Sequence, residues 1–335
     1  MDKKAITKGP LSTRSAFRKS LIKWFEQGGK IYPWRATDNP WEILVSEIML
    51  QQTTVSSVIA NRRFERFLEE FPDLETISKA PEDQLLRAWE GLGYYNRVRN
   101  LQRAAVAVLS DHHGAFPKDA TILESLPGIG KYTAGAVASF AFNEPAPIVD
   151  ANIARVLARL FNYHSPIDST TGIRQLWEWA ESLLDRKHPR VFNSAIMELG
   201  QTYCSPKKPD CQSCPVRKFC LSTSPESLPL KKPRRKVVRV DEHAIFFEKD
   251  KSILLAQESG NRRKGFWRLP LRSEEEVAHL EPESKFTYSI THHRVTLYLY
   301  RSEVTPASAE TFVPIYKLAS LPIASPIRRA IEASL

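Results

Sequence analysis

The sequence predicts two unlike domains in one multidomain chain, an all-α unit followed by a small α+β unit. Length is the first reason: 335 residues exceed the roughly 150 of a typical domain, so two are expected. Hydrophobic patterning is the second, helical in spacing up to residue 225 and strand-like beyond residue 239. The third is the stretch SLPLKKPRRKVVRV between them, with two prolines, six basic residues from Lys231 to Arg239 and no acid among those nine. The expected boundaries are an N-terminal tail at 1–20, a helical domain at 21–225, a basic linker at 226–238 and a second domain at 239–335.

In the helical part, Leu21, Trp24 and Phe25 fall at helical spacing, as do Leu44, Ile48 and Met49, and again Ile153, Val156, Leu157 and Leu160. Proline and glycine breaks at 72, 81, 91–93, 127–130 and 145–147 cut this part into short helices. The linker reads equally as a strap along a phosphate backbone and as a solvated charged tether. Beyond it, HAIFFE, SILLAQ and RVTLYLYRSEV are β-branched and aromatic, and Val295, Leu297 and Leu299 alternate onto one strand face. The sequence shows no internal repeat.

Composition excludes several classes. A hydrophobic fraction of 42% is too high for a wholly disordered chain. No run of about 18 apolar residues occurs, so no membrane-spanning helix is expected. The opening MDKKAITKGPLSTRSAFRKS is polar and lacks the apolar core of a secretory signal. Lys and Arg number 48 against 38 Asp and Glu, a formal net charge of +10, which points to a polyanionic partner.

Four residues carry the first chemical signal. Cys204, Cys211, Cys214 and Cys220 make a C-x6-C-x2-C-x5-C cluster, and the chain has no other cysteine. Disulfides do not suit a chain without an export signal that can build its own core. A tetrathiolate metal site remains, and ligand type alone admits both zinc and an iron–sulfur centre. The nearest histidine is His188.

The second signal is LESLPGIGKYTAGAVASFAF at 123–142, a glycine turn that opens a helix. Without Cβ atoms, Gly128 and Gly130 let backbone N–H groups approach a phosphate, and the helix N-terminus adds a favourable field. Read alone, such a turn is also a plain helix–helix connector. Asp150 follows in PIVDANIARVLARL, where an acid at a helix start is ordinarily an N-cap. Glu47 sits among Leu44, Val45, Ile48, Met49 and Leu50. It either points out to water or is a desolvated acid with a pKa raised toward neutrality.

A hairpin helix, a loop aspartate and a downstream four-cysteine cluster, taken together, resemble the helix-hairpin-helix glycosylase superfamily. Within it the chain resembles the MutY-type adenine DNA glycosylases across residues 20–225, and more loosely to the end. The words that carry this are Pro33-Trp34-Arg35, Ser46-Glu47-Ile48-Met49-Leu50-Gln51-Gln52-Thr53, Gly91-Leu92-Gly93-Tyr94-Tyr95 and Met197-Glu198-Leu199-Gly200. The resemblance implies an all-α helix-hairpin-helix glycosylase domain with a [4Fe–4S] loop at 204–220, and it favours iron–sulfur over zinc. It implies that Glu47 protonates adenine to make it a leaving group, and that Asp150 stabilises the oxocarbenium-like sugar left behind. Asn152 matches a family residue beside that aspartate. Strand-cleaving relatives carry a lysine nucleophile at the position of Tyr132, so the enzyme is expected to remove the base and stop. Lys131, one step earlier and about 100° round the helix, reads as a phosphate contact beside Gly128 and Gly130. Gln52 and Tyr94 match residues that wedge into the base stack when the target is flipped. Trp34, Arg35 and Glu198 match residues lining the adenine pocket.

The second domain resembles the MutT-like, Nudix-type module of the same glycosylases, through Gly265-Phe266-Trp267-Arg268-Leu269-Pro270. The Nudix catalytic box is missing, because Arg272-Ser273-Glu274-Glu275-Glu276 is too short and too early. The domain is therefore expected to bind rather than hydrolyse. Its match to the family's 8-oxoguanine-reading word is Ile290-Thr291-His292, with His293 and Tyr288 as neighbours that could share the work. The implied partner is double-stranded DNA carrying A:8-oxoG or A:G mispairs, bound by a monomer without a membrane. That places the chain in the bacterial cytoplasm on nucleoid DNA, or in the nucleus of a eukaryote. Two rivals remain: a pyrimidine- or thymine-mismatch glycosylase, and a lesion-binding protein without catalysis. Lys207, Lys208, Arg217 and Lys218 around the cysteines are expected to face DNA.

Overall fold

In a computed structural model, residues 10–233, 237–259, 264–290 and 292–335 are described. The helices are α1 (Arg14–Gly28), α2 (Pro40–Leu50), α3 (Val55–Ile59), α4 (Arg63–Glu70), α5 (Leu74–Lys79), α6 (Glu82–Ala88) and α7 (Asn96–Asp111). They continue with α8 (Ala120–Ser125), α9 (Lys131–Phe142), α10 (Ala151–Leu160), α11 (Thr170–Leu183) and α12 (Pro189–Thr202). No helix among the described residues is long and apolar enough to cross a membrane.

Two compact units are present. The first comprises Met1–Ile59, Asp73–Glu75 and Arg103–Pro233, and the second comprises Ala60–Pro72, Thr76–Gln102 and Arg234–Leu335. The helical stretch at 60–102 therefore does not belong wholly with the helices around it, as the chain order had led us to expect.

In the first unit, α2 begins where Pro40 fixes the first turn and the Asn39 side chain accepts from the Trp41 N–H at 2.9 Å. It is buried on every face: Trp41 and all residues from Ile43 to Met49 are shielded. Asp119 caps α8 by accepting from Thr121 and Ile122. Gly128 takes a left-handed φ of +74° in the turn that follows, and Gly130 is the N-cap of α9. Asn143, at φ +55°, stops α9. Helix α9 packs on α2 and α8, and α10 on α12, which packs in turn on α1. The core joins Phe17 and Leu21 of α1 to Val156, Leu157 and Leu160 of α10, Phe192 of α12 and Phe219 of the cysteine loop. Phe17 and Phe219 meet edge to face at 5.8 Å, which anchors that loop to the core. The start of the basic linker is no free tether: Leu230 accepts from the Ile167 N–H at 3.0 Å, and Lys232 donates to Asp168 at 2.8 Å.

The second unit carries a C-terminal α/β region. Its strands form two four-stranded sheets among the described residues: Leu271–Arg272, Val238–Phe246, His293–Arg301 and Ser284–Ile290 lie side by side in that order in one, and in the other Glu248–Lys249, Ser252–Gln257 and Trp267–Arg268 follow in order, with Glu310–Pro314 also pairing Ser252–Gln257. The strands are β1 (Val238–Phe246), β2 (Glu248–Lys249), β3 (Ser252–Gln257), β4 (Trp267–Arg268), β5 (Leu271–Arg272), β6 (Ser284–Ile290), β7 (His293–Arg301) and β8 (Glu310–Pro314). Strands β1 and β7 run parallel, with Val240 opposite Val295 and Ala244 opposite Leu299. The alternation read in RVTLYLYRSEV holds, for Val295, Leu297 and Leu299 are all buried. Short helices α13 (Glu274–Val277) and α14 (Ser325–Glu332) complete the region.

Candidate active site

Within the first unit, α2, α9 and the loop entering α10 open onto one cleft lined by Trp34, Arg35, Glu47, Gln52, Tyr132, Asp150 and Asn152. Its volume is about 1340 Å³, above the roughly 300–1,000 Å³ of a small-molecule site. That room suits a nucleotide with part of its backbone.

Glu47 is 5% exposed, because α2 has no face turned to water. Burial raises its pKa from 4.5 to about 7; a hydrogen bond with the Tyr132 side chain pulls it down, the Asp150 charge pushes it up and Arg35 pulls it down. The same neighbours act on Tyr132: burial first, then Glu47 and Asp150, push its phenol well up, so it stays protonated. Of the two sequence readings for Glu47, the structure supports the inward one.

Asp150 is the N-cap of α10 and accepts from the Ile153 N–H at 2.6 Å. Its other oxygen takes the Asn152 amide at 2.8 Å. Burial pushes its pKa up, while these bonds and the Arg155 charge hold the ionised form. Capping and a place in the cleft are thus both true of this residue. Arg155 donates to the Asn152 side-chain oxygen at 2.9 Å, to the Gly200 carbonyl at 2.7 Å and to the Cys204 carbonyl at 2.8 Å. A Cβ on Gly200 would lie 2.8 Å from the Asn152 Cβ, so only glycine lets α12 close on the start of α10.

At the rim, Trp34 stacks on Tyr32 with centroids 5.2 Å apart. Arg35 lies over the Tyr32 and Phe25 rings and pairs with Glu198. Glu198 itself is buried and also takes the Lys30 N–H at 2.8 Å. It does not line the cleft as expected; it anchors the residues that do. Gln52 is exposed with a left-handed φ of +56°. Tyr94, in the second unit, is exposed too and has a φ of +49°. Side-chain-bearing residues seldom take that conformation, so both candidate wedges sit on strained backbone.

At the hairpin, a Cβ on Gly130 would meet nothing within 4 Å, and the N-terminus of α9 stands open. Lys131 is exposed beside it, but its ammonium rests 4.2 Å from the Trp177 ring centroid. It points away from the cleft-lining Tyr132, as the helical offset predicted.

None of the four cysteines is in a disulfide. Burial pushes Cys214 up to about 11, and Cys211 and Cys220 upward too, with the charges of neighbouring cysteine sulfurs adding to each. The sulfurs thus lie within one another's field. Among the described residues no three or more His, Cys, Asp or Glu side chains close around a single ion. Arg159, buried in α10, donates to the Cys204 sulfur at 3.3 Å and to the Ser205 and Pro206 carbonyls at 2.7 and 3.1 Å. An all-sulfur donor set with a cation beside it fits a multi-iron cluster, which distributes its thiolates over separate irons. Lys207, Lys208, Arg217 and Lys218 are all exposed on this loop.

In the C-terminal region, Ile290 ends β6 opposite His293, and the His292 and His293 rings lie 4.1 Å apart. Thr291 lies outside the described residues. Tyr288 is buried, and its hydroxyl donates to Glu242 at 2.8 Å, so it is a wall residue and not an exposed reader. Sequence reasoning passed over Arg155 and Arg159, and it gave Gly200 no role beyond its place in a matching word. The two arginines resemble the wet face of an amphipathic helix, yet their four-residue spacing, both directed toward the cysteine loop, was the available signal.

Residues 45–182 match the HhH-GPD superfamily of base excision DNA repair proteins. The adenine DNA glycosylase of Homo sapiens is 41% identical over 215 residues, which cover 62% of this chain and 39% of that protein. The adenine DNA glycosylase of Buchnera aphidicola subsp. Baizongia pistaciae (strain Bp) is 38% identical over 211 residues, covering 63% of this chain and 59% of its own length. The chain thus matches less than two thirds of either relative's length. Among solved structures, a thermostable thymine-DNA glycosylase superposes with a TM-score of 0.56 at 31% identity, covering 63% of this chain and 96% of that one. Endonuclease III trapped on DNA shares the fold at 24% identity, with a TM-score of 0.53 over 62% of this chain and 95% of that one.

Proposed function

Because the chain belongs to the HhH-GPD superfamily of base excision DNA repair proteins, we propose that it is a monofunctional adenine DNA glycosylase acting on duplex DNA where adenine is mispaired with 8-oxoguanine or guanine. One observation carries this reading: Glu47 is a buried acid near neutrality, next to Asp150 and bonded to a tyrosine rather than a lysine. An adenine extruded into the cleft takes the Glu47 proton on a ring nitrogen. The N-glycosidic bond then breaks, its electron pair leaving with the base, and positive charge develops on the sugar. Asp150 stabilises that charge as a carboxylate fixed by Ile153 and Asn152. Water adds to the sugar, its proton passing to the now ionised Glu47, and the strand stays intact because a tyrosine, Tyr132, rather than a lysine stands beside Glu47, and a phenol forms no Schiff base.

Gln52 and Tyr94 fill the space the base leaves, and Trp34 and Arg35 receive the purine. Gly128, Gly130 and Lys131 take the backbone phosphate. Cys204, Cys211, Cys214 and Cys220 hold a [4Fe–4S] cluster, which when bound ties the basic loop into one shape. The C-terminal region is Nudix-like and reads the opposite base near 290–292. The chain works as a monomer, in the cytoplasm of a bacterium or the nucleus of a eukaryote.

The solved thymine-DNA glycosylase at 31% identity favours a second reading, removal of thymine opposite guanine. Both are separated by incubating the intact protein with duplexes bearing A opposite 8-oxoguanine, A opposite G and T opposite G, then treating with alkali. Cleavage at A alone supports the adenine reading; cleavage only at T overturns it. Cleavage without alkali contradicts monofunctional chemistry. A visible absorption band that disappears in Cys211→Ser supports the cluster, whatever the activity.

A further inference from the structure

The second compact unit joins the loop bearing Tyr94 to the C-terminal region, and contacts on both flanks of that loop link the two. Tyr95 packs its ring on Phe266, with centroids 4.0 Å apart and both residues buried. On the other flank, Arg328 of α14 grips Glu90 with two bonds, at 2.6 and 3.0 Å. Arg328 is itself fixed by the Leu318 and Leu321 carbonyls. Arg99 reinforces the first contact by donating to the Lys264 carbonyl and to Glu82 at 2.6 Å.

Between these flanks the backbone is unusual. Gly91, Gly93 and Tyr94 all have positive φ, at +84°, +67° and +49°. Arg97 holds the turn from beneath, through the Leu92 and Gly93 carbonyls at 2.8 and 3.0 Å. A tyrosine persists in left-handed backbone only where its surroundings over-determine it. Arg63 holds the Glu90 carbonyl from nearby, but each flank is also fixed by a group more than 160 positions away in the chain.

We propose that the C-terminal region clasps the Gly91–Tyr94 loop at both ends, through Phe266 on Tyr95 and Arg328 on Glu90, and thereby presents Tyr94 for insertion into the base stack. Phe266 and Arg328 are then positioning residues for base extrusion, separate from any reading of the opposite base. This rests on the reading of Tyr94 as a wedge. It has a consequence that lesion reading lacks: loosening the clasp impairs extrusion equally whether the opposite base is 8-oxoguanine or guanine.

The test uses the full chain and duplexes with 2-aminopurine in place of the target adenine, whose fluorescence rises on unstacking, opposite 8-oxoguanine or guanine. Phe266→Leu and Glu90→Ala are each expected to slow extrusion by about tenfold or more, the factor given by about 1.4 kcal/mol, opposite both bases. Duplex affinity and melting temperature should change far less. Tyr95→Phe, which keeps the ring pair, should extrude like the parent. Parent-like extrusion by Glu90→Ala and Phe266→Leu, with Tyr94→Ala defective, overturns the clasp alone. Slowing confined to the 8-oxoguanine duplex overturns it too, assigning Phe266 to base reading. Parent-like extrusion by Tyr94→Ala instead overturns the wedge reading on which the clasp stands. Should Phe266→Leu fail to fold, Glu90→Ala decides by itself.

Discussion

A carboxyl on a helix with no wet face loses its hydration, and at Glu47 the Tyr132 bond and Arg35 make good only part of that loss. Two expectations follow from this balance. Tyr132→Phe removes a bond that lowers the Glu47 pKa, so the alkaline limb of the excision rate should move to higher pH; an unchanged or acid-shifted limb would show that Tyr132 does not act on Glu47. Stability is the other. Folded Glu47 keeps its proton up to about 7, whereas the unfolded chain loses it near 4.5. The folded state binds more protons across that interval, so stability falls as pH rises through it, and the deficit is complete above about 7. At about 1.4 kcal/mol per unit it amounts to at most roughly 3–4 kcal/mol. Glu47→Gln should therefore melt above the parent at pH 8, with the gap closing at pH 4. A variant that melts lower at pH 8 contradicts the burial argument.

Helices α10 and α12 place the second carboxylate, and their fit depends on a missing side chain. The Cβ of Gly200→Ala would press on Asn152 at 2.8 Å, closer than real contacts allow, and so displace the amide that holds Asp150. We expect excision to slow by about tenfold or more, since small displacements of a catalytic group cost that much, with duplex affinity little changed; parent-like single-turnover rates would contradict it. Further along α10, Arg159 is buried and satisfies carbonyls of Leu228, Ser205 and Pro206. Arg159→Leu strands these acceptors, each worth about 1–3 kcal/mol, so the melting temperature should fall by several degrees, and an unchanged melt would show the loop is held otherwise. These elements also mark how far the sequence could be read. The 3.6-residue spacing of Ile153, Val156, Leu157 and Leu160 located α10, and all four are buried. The same spacing could not orient Glu47, because α2 is apolar all round and offers no contrast between faces. Nor could it show Glu198 as an anchor, since its partners Arg35 and Lys30 lie over 160 positions away.

The whole chain is organised by a division the sequence order conceals. Composition separated the helical part from the β-rich one, and the short motifs located the cleft residues, because both are local properties. Tertiary pairing is not: nothing in Gly91-Leu92-Gly93-Tyr94-Tyr95 announces that Tyr95 packs against Phe266 or that this stretch belongs to the second unit. The fold thus gathers a cleft with two carboxylates in one unit and a strained tyrosine loop in the other. Proton donation by Glu47 is what gives the cleft a reaction. It is tested most directly by single-turnover release of adenine opposite 8-oxoguanine from pH 5 to 9, for the parent and for Glu47→Gln. The parent rate should be level below about 7 and fall above it, while Glu47→Gln binds the duplex and releases base about 10²–10⁴-fold more slowly or not at all. Release by Glu47→Gln at the parent rate, or a parent rate that climbs through neutrality, would contradict it.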